Sequence, residues 1–281
     1  MIYVNPIGGL ANRLRVLFAI LNLSKKYNRQ VTCIWKVNEE LGASFDELFE
    51  LTNDFNLLEK QPKYIKSTFG KSFFKEQLIR WINKFVNKVD HIYLQGDVDY
   101  INSLSENGYK NFIKHIEPYI SKGCNIYIES CSFLDELNEF PNIKPVLSIQ
   151  ESIDTFCENN FTENTFGLHI RRTDNAWSIS NSPLELFYDV IQREIDKNKE
   201  TKFYISTDDY ETQCKIKEKF GDSIILREKE YGRDNKDAMR DAVIDMWLLS
   251  KTKKIYGSFY SSFSEMSALI GHIELEVIKK Q

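Results

Sequence analysis

The sequence has little cysteine, and what it has is poorly placed for joint chemistry. Cys33, Cys124, Cys131, Cys157 and Cys214 are odd in number and scattered, with no C-x-x-C pair. That leaves no basis for a disulfide framework or a cysteine zinc site, and a reducing cytoplasm is the expected compartment. Long apolar runs are also missing, since none approaches the ~18 residues that a membrane span needs. The opening Met1-Ile2-Tyr3-Val4-Asn5 meets Pro6 and two glycines too soon to form a secretory apolar core. Nor is there an excess of positive charge: 37 Lys and Arg stand against 41 Asp and Glu, a net charge of -4. Nucleic-acid-binding domains are usually net basic, so no nucleic-acid partner is expected. There is no internal repeat and no low-complexity tract.

What is present suits a globular enzyme-sized chain. The 281 residues are 42% hydrophobic and 28% charged, enough for the cores of two compact domains. Residues 2–4 read as a short β-branched strand and 6–9 as a turn. Apolar residues then recur near helical spacing at Leu10, Leu14, Leu17, Phe18 and Leu21, and residues 31–35 read as a second strand. The opening is therefore a βαβ unit. Residues 37–160 are less regular, with a short helix at 44–49, strands at 91–94 and 125–128, and a helix at 149–157 that closes the first half. Residues 60–87 are basic and aromatic, holding Tyr64, Phe69, Phe73, Phe74, Trp81 and Phe85. They read as an amphipathic helix packed on its domain, or as a stretch in transient contact with a membrane surface or a glycan. The polar run at 158–164 marks the boundary, giving domains 1–160 and 161–281. The second half alternates strands at 166–170, 202–206, 223–226 and 254–257 with helices at 183–197, 209–220, 237–250 and 262–270. This alternation predicts an α/β fold with a parallel, doubly wound sheet.

Ligands of such sheets sit beyond the carboxyl ends of the strands, so the residues following each strand are the candidates. After 166–170 come Arg171, Arg172, Thr173 and Asp174. Adjacent residues at a strand end point to opposite sides, so one arginine enters the crevice while the other pairs with a carboxylate and braces the loop. A guanidinium fork suits a diphosphate. His169 shares the Arg171 face; it donates to phosphate or ribose, or it is a packed strand histidine. After 202–206 come Thr207, Asp208 and Asp209; Thr207 or Asp208 caps the next helix, and the helix start also faces the crevice. An isolated Asp-Asp pair is poor evidence for a divalent metal. After 254–257 come Ser261 and Ser262, at a helix start suited to an anion. After the first strand come Gly8, Gly9, Asn12 and Arg13, a glycine turn unlike a G-x-G-x-x-G or Walker loop.

Taken in order, Gly8-Gly9-Leu10-Ala11-Asn12-Arg13-Leu14, His169-Ile170-Arg171-Arg172-Thr173-Asp174, Ser206-Thr207-Asp208-Asp209 and Ser261-Ser262-Phe263-Ser264 resemble the fucosyltransferase superfamily. This group spans the α-1,6, nodulation-factor, α-1,2 and protein O-fucosyltransferases. The resemblance implies a GT-B fold of two Rossmann-like domains facing a central cleft, the acceptor on the N-terminal side and the donor on the C-terminal one. It implies GDP-fucose as donor, a carbohydrate acceptor, inversion, no metal and no other cofactor, in the setting of polysaccharide or oligosaccharide synthesis. Arg171 matches the family's essential phosphate-binding arginine, His169 a donor contact, Asp245 a guanine-reading aspartate, Ser261 and Ser262 phosphate contacts, and Gly8 and Gly9 the opposite loop. One departure stands out: the glutamate expected shortly after the arginine motif is missing from Asn175-Ala176-Trp177-Ser178-Ile179-Ser180. Asp174 and then Glu185 are the remaining candidates for the base. A different nucleotide sugar, or a non-catalytic glycan- or nucleotide-binding module of the same fold, are the rival readings.

Overall fold

A computed structural model describes residues 1–58, 73–104, 111–135, 137, 143–173 and 175–280. The chain divides into two compact units, Met1–Phe45 with Leu51–Ile143, and Asp46–Glu50 with Lys144–Gln281. The boundary therefore falls earlier than the expected 160. The helix read as closing the first half belongs to the second unit, because its Phe156 ring packs on Tyr204 at 5.7 Å. Residues 46–50 also join the second unit, where the fully buried Phe49 lies 5.8 Å from the Trp247 ring.

The first unit is built on strands β1 (Ile2–Pro6), β2 (Val31–Ile34), β3 (Asn56–Leu58), β4 (His91–Tyr93) and β5 (Ile126–Ser130), all parallel, in the order β3-β2-β1-β5-β4. Its helices are α1 (Leu10–Lys26), α3 (Phe73–Asn87), α4 (Gln95–Ser103) and α5 (Asn111–Ser121); α2 (Phe45–Leu48) runs from Phe45 of this unit into the second. α1 runs from the glycine turn after β1, and its Leu14, Val16, Leu17 and Phe18 are fully buried.

The second unit carries β6 (Thr165–Ile170), β7 (Lys202–Thr207), β8 (Ile224–Ile225), β9 (Ile255–Ser258) and β10 (Leu275–Ile278), also parallel, in the order β10-β9-β6-β7-β8. Its helices are α6 (Leu147–Asn160), α7 (Ala176–Asn181), α8 (Leu184–Lys197), α9 (Tyr210–Phe220), α10 (Lys236–Ser250) and α11 (Ser262–Gly271). Strand alternation sorts the sheet into two faces. On one, Leu168, Ile170, Phe203, Ile205 and Tyr256 form a core with Phe187, Val190 and Ile191 of α8 and Ile216 of α9. On the other, in register, lie Gly257 of β9, His169 of β6 and Ser206 of β7, the side that α10 and α11 cover. The strand order reverses between β6 and β9. In open parallel sheets that switch point, at the carboxyl ends, is where a ligand crevice forms.

Candidate functional site

The loops after β6, β7 and β9 are fastened to one another at this switch point. The backbone amide of Arg171 donates to Ser258 Oγ at 3.0 Å, tying the end of β6 to the end of β9. Arg171 Nε lies 3.1 Å from Asp208 Oδ2, tying β6 to β7. Asp208 also accepts from the Arg172 amide at 2.7 Å and the Thr173 hydroxyl at 2.7 Å. Both carboxylate oxygens of Asp208 are thus engaged, and its work is to hold Arg171 in place. The Arg171 side chain keeps one fifth of its surface exposed.

Arg172 braces the loop, but not through a carboxylate as its pairing pattern suggested. Its guanidinium donates to the carbonyls of Arg171 at 3.0 Å and Ser182 at 2.9 Å, over the Phe187 ring. Ser182, fully buried, in turn accepts from the Phe259 amide at 2.8 Å and donates to the Ile278 carbonyl at 2.5 Å. Arg172 and Ser182 therefore lock the loops after β6 and β9 to the end of β10.

His169 is 4% exposed and stacks on Phe263 at 4.8 Å. Its Nδ1 lies 2.8 Å from Ser264 Oγ and 3.3 Å from Ser261 Oγ. Burial, followed by the charge of Arg171, pushes its pKa down to about 3, so the ring is neutral near pH 7. This is the packed-histidine reading with a purpose: His169 positions the start of α11. Gly257 makes the approach possible, because a Cβ there would come within 2.5 Å of Ser264 Oγ. Ser261 is the N-cap residue of α11 but makes no side-chain cap, and Ser262 opens the helix. Backbone amides at a helix start without such a cap are a ready site for an anion.

Asp245 and Asp209 are placed otherwise than as ligand contacts. Asp245, 2% exposed, accepts from Tyr204 Oη at 2.7 Å, Ser206 Oγ at 2.9 Å, Arg227 at 2.7 Å and Lys229 at 2.5 Å. Burial alone would raise its pKa; Lys229 and Arg227 outweigh this and hold the carboxyl well below the ordinary range. A carboxylate with four donors has no lone pair left for guanine, so this geometry fits an anchor for the loop after β8. Asp209, rather than the expected Thr207 or Asp208, caps α9, accepting from the Thr212 amide at 2.8 Å. Glu185 is exposed in the first turn of α8. Asp174 lies outside the described residues.

In the first unit the glycine turn is built to hold itself together. Gly8 has φ +82°, a conformation that side chains resist, and its amide donates to Glu40 at 3.1 Å. Gly9 is the N-cap of α1 in extended conformation. Arg13 is fully buried and donates to the Gly8 carbonyl at 2.7 Å, the Lys36 carbonyl at 2.5 Å and Asn38 Oδ1 at 2.8 Å. Burial lowers its pKa to about 10, with Glu40 acting in the opposite sense. The expected crevice role for Arg13 gives way to a clamp on the turn, since every nitrogen of its fork is used. Half-buried Asn12 accepts from Arg15 at 3.2 Å.

Solved structures share this arrangement of elements. NodZ α-1,6-fucosyltransferase soaked with GDP-fucose matches with a TM-score of 0.62 at 16% identity, over 96% of this chain and 92% of that one. The Se-Met fucosyltransferase NodZ from Bradyrhizobium gives 0.63 at 18% identity, over 96% and 91%. POFUT1 in complex with GDP-fucose gives 0.56 at 13% identity, over 99% and 97%. The fold is the one these fucosyltransferases share. No protein-family model and no curated protein matches the sequence.

Against that fold, the expected α/β class with two parallel sheets holds. Among the described residues, no helix is long and apolar enough to cross a membrane. Nor do they include a group of three or more His, Cys, Asp or Glu side chains placed to hold a metal ion. Sequence reasoning missed Ser182, Arg227 and Lys229. Only the Asp241 and Asp245 spacing, four apart on α10, hinted that one cation could bridge both, as Arg227 does at 2.5 and 2.7 Å.

Proposed function

We propose that this chain is an inverting glycosyltransferase that moves fucose from GDP-fucose to a carbohydrate acceptor, holding the donor at the β6/β9 switch point. One observation carries the reading. Arg171, fixed by Asp208 and Ser258, stands at the end of β6 next to β9, whose following loop leads into the start of α11, which has no side-chain cap, in the fold of proteins crystallised with GDP-fucose and GDP. The acceptor hydroxyl oxygen attacks the anomeric carbon, the bond from that carbon to the diphosphate breaks, and its electron pair leaves on GDP. Negative charge grows on the diphosphate in the transition state. A guanidinium and a helix start, both preorganised, lower that barrier without a metal. The hydroxyl proton passes to a base, for which Asp174 and Glu185 are the candidates. Asp208 is unsuited, being spent on Arg171, the Arg172 amide and the amide and hydroxyl of Thr173.

Two exposed aromatic rings offer a surface for an acceptor at the same loops. Trp177 of α7 is 69% exposed and Tyr260 75%. They are linked through Asn175, which caps α7 and donates to the Tyr260 carbonyl at 3.2 Å. Tyr260 is held at φ +55°, a strained position for a side-chain-bearing residue. We assign these rings to the acceptor sugar.

The test is thermal stabilisation by GDP, GDP-fucose, GDP-mannose, UDP and ADP, with and without EDTA, followed by assay of donor hydrolysis and transfer. A hundredfold excess over the dissociation constant should stabilise by about 2.7 kcal/mol. Indifference to guanine nucleotides would refute the donor; loss of GDP binding on chelation would refute the metal-free reaction. Binding without hydrolysis or transfer would favour the non-catalytic module.

A further inference from the structure

The helix α3 turns its apolar side outward. Phe74, Leu78, Trp81, Ile82, Phe85 and Val86 are exposed by 85, 58, 66, 39, 79 and 47%. Their spacing puts all six on one face of the helix. The opposite face is the one that packs on the first unit. Asn83 is 1% exposed, and Arg80 lies 3.3 Å from Nε2 of His91 on β4. A surface helix normally does the reverse, burying its apolar stripe and exposing its polar one. Trp81 and Phe85 stack on each other at 5.9 Å with nearly parallel rings, so the outward face is a continuous aromatic surface. Exposed lysines border it: Lys75 on the stripe's edge, Lys84 on the other side and Lys88 just beyond the helix. Residues 60–88 hold seven lysines and one arginine against a single Glu76, so this stretch is net basic in a chain of net charge -4.

We propose that this face of α3 is a docking surface for an anionic lipid bilayer. An interfacial helix needs three things: an apolar face with aromatic residues, cations along its borders, and an orientation that presents the face to solvent. Lysine stems reach past the apolar boundary while their ammonium groups meet lipid phosphates. The charge argues against a second copy as occupant, because two such faces would bring the same lysines together. α3 lies in the first unit, away in sequence from the residues assigned to the donor, and the inference stands whether or not that assignment does.

The experiment uses the full chain and sucrose-loaded vesicles of phosphatidylcholine, alone or mixed with phosphatidylglycerol. Sedimentation should show at least tenfold stronger partition to the anionic vesicles, weakening as salt is raised. Trp35 and Trp247 are buried and Trp177 is exposed, so in a Trp177→Phe background a blue shift of tryptophan emission on vesicle addition should come from Trp81 and vanish on Trp81→Phe while partition persists. Trp81→Ser with Phe85→Ser should lose partition at least tenfold; Lys75→Gln, Lys84→Gln and Lys88→Gln together should lose the preference for anionic lipid. Since all five side chains face solvent, melting temperatures should stay unchanged. No partition to anionic vesicles, or equal partition of the Trp81/Phe85 variant, would overturn the proposal. So would a lipid-free dimer broken by that same variant.

Discussion

Arg171 Nε and Asp208 Oδ2 lie 3.1 Å apart, each side chain about one fifth exposed, and this pair ties the end of β6 to the end of β7. The carboxylate that holds the arginine also holds the backbone after it, through the Arg172 amide and the Thr173 hydroxyl. A charged group aimed by its neighbours in this way is ready before the ligand arrives, which is what stabilising a growing charge requires.

Replacing Arg171 by alanine should lower kcat by ~10²–10³, the usual cost of removing one preorganised donor. Stability should change by no more than ~1 kcal/mol, because the pair is partly solvated. Asp208→Asn should show a smaller loss in kcat. The double variant should be no worse than Arg171→Ala alone, since both remove one device. Additive losses in a double-mutant cycle would refute the coupling.

Gly257→Ala places a methyl group against Ser264 and pushes α11 away from β9. Overpacking of this kind costs ~1–3 kcal/mol. The urea midpoint should fall and GDP binding should weaken together, because the start of α11 moves. An unchanged GDP affinity at the lower midpoint would show that α11 does not serve the diphosphate.

Asp245→Ala leaves Lys229 buried without its anion and Arg227 with Asp241 alone. Breaking one side of a buried ion pair costs roughly 3–5 kcal/mol. Denaturant unfolding should report a loss in that range. A purely ligand-reading aspartate would instead leave stability intact and lower guanine affinity.

Stability should fall as the solution is acidified below neutrality. His169 holds its folded pKa at about 3, below the ordinary 6.5. Between those values the unfolded chain binds the proton and the folded chain does not. Stability is therefore full above pH 6.5 and declines as pH drops, by up to ~1.4 kcal/mol per unit. His91, lowered to about 4 chiefly by burial, acts in the same sense. Urea midpoints at pH 7.5 and 5.0 should show the decline, with a shallower slope for His169→Asn. Equal slopes would remove His169 from the account.

Trp177→Ala should raise the acceptor KM with GDP-fucose hydrolysis unchanged, if the exposed ring receives the acceptor sugar. Since Trp177 is 69% exposed, its melting temperature should match the parent. An unaltered acceptor KM would remove the ring from the acceptor site.

The second unit is largely legible in the sequence. Its β6, β7 and β9 are covered on both faces, so they read as short apolar runs, and their helices keep a clear period. Half-exposed β10 has no such run and was missed. In the first unit, α4 and α5 lie within the irregular stretch and were also missed. The short helix near residue 45 was recognised but given to the first unit, because a buried Phe49 says nothing of which core receives it.

Local order and residue type settle what a segment is: strand, turn or helix start, and which side chains could carry charge. That much the sequence determined, including the arginine pair at a strand end and the serines at a helix start. Partner choice is a long-range matter. Arg171 and Asp208 are 37 residues apart, His169 and Ser264 95 apart, and only packing brings them within reach. Burial decided the rest: it turned His169 neutral, spent Asp245 and Arg13 on internal donors and acceptors, and left the apolar face of α3 outside.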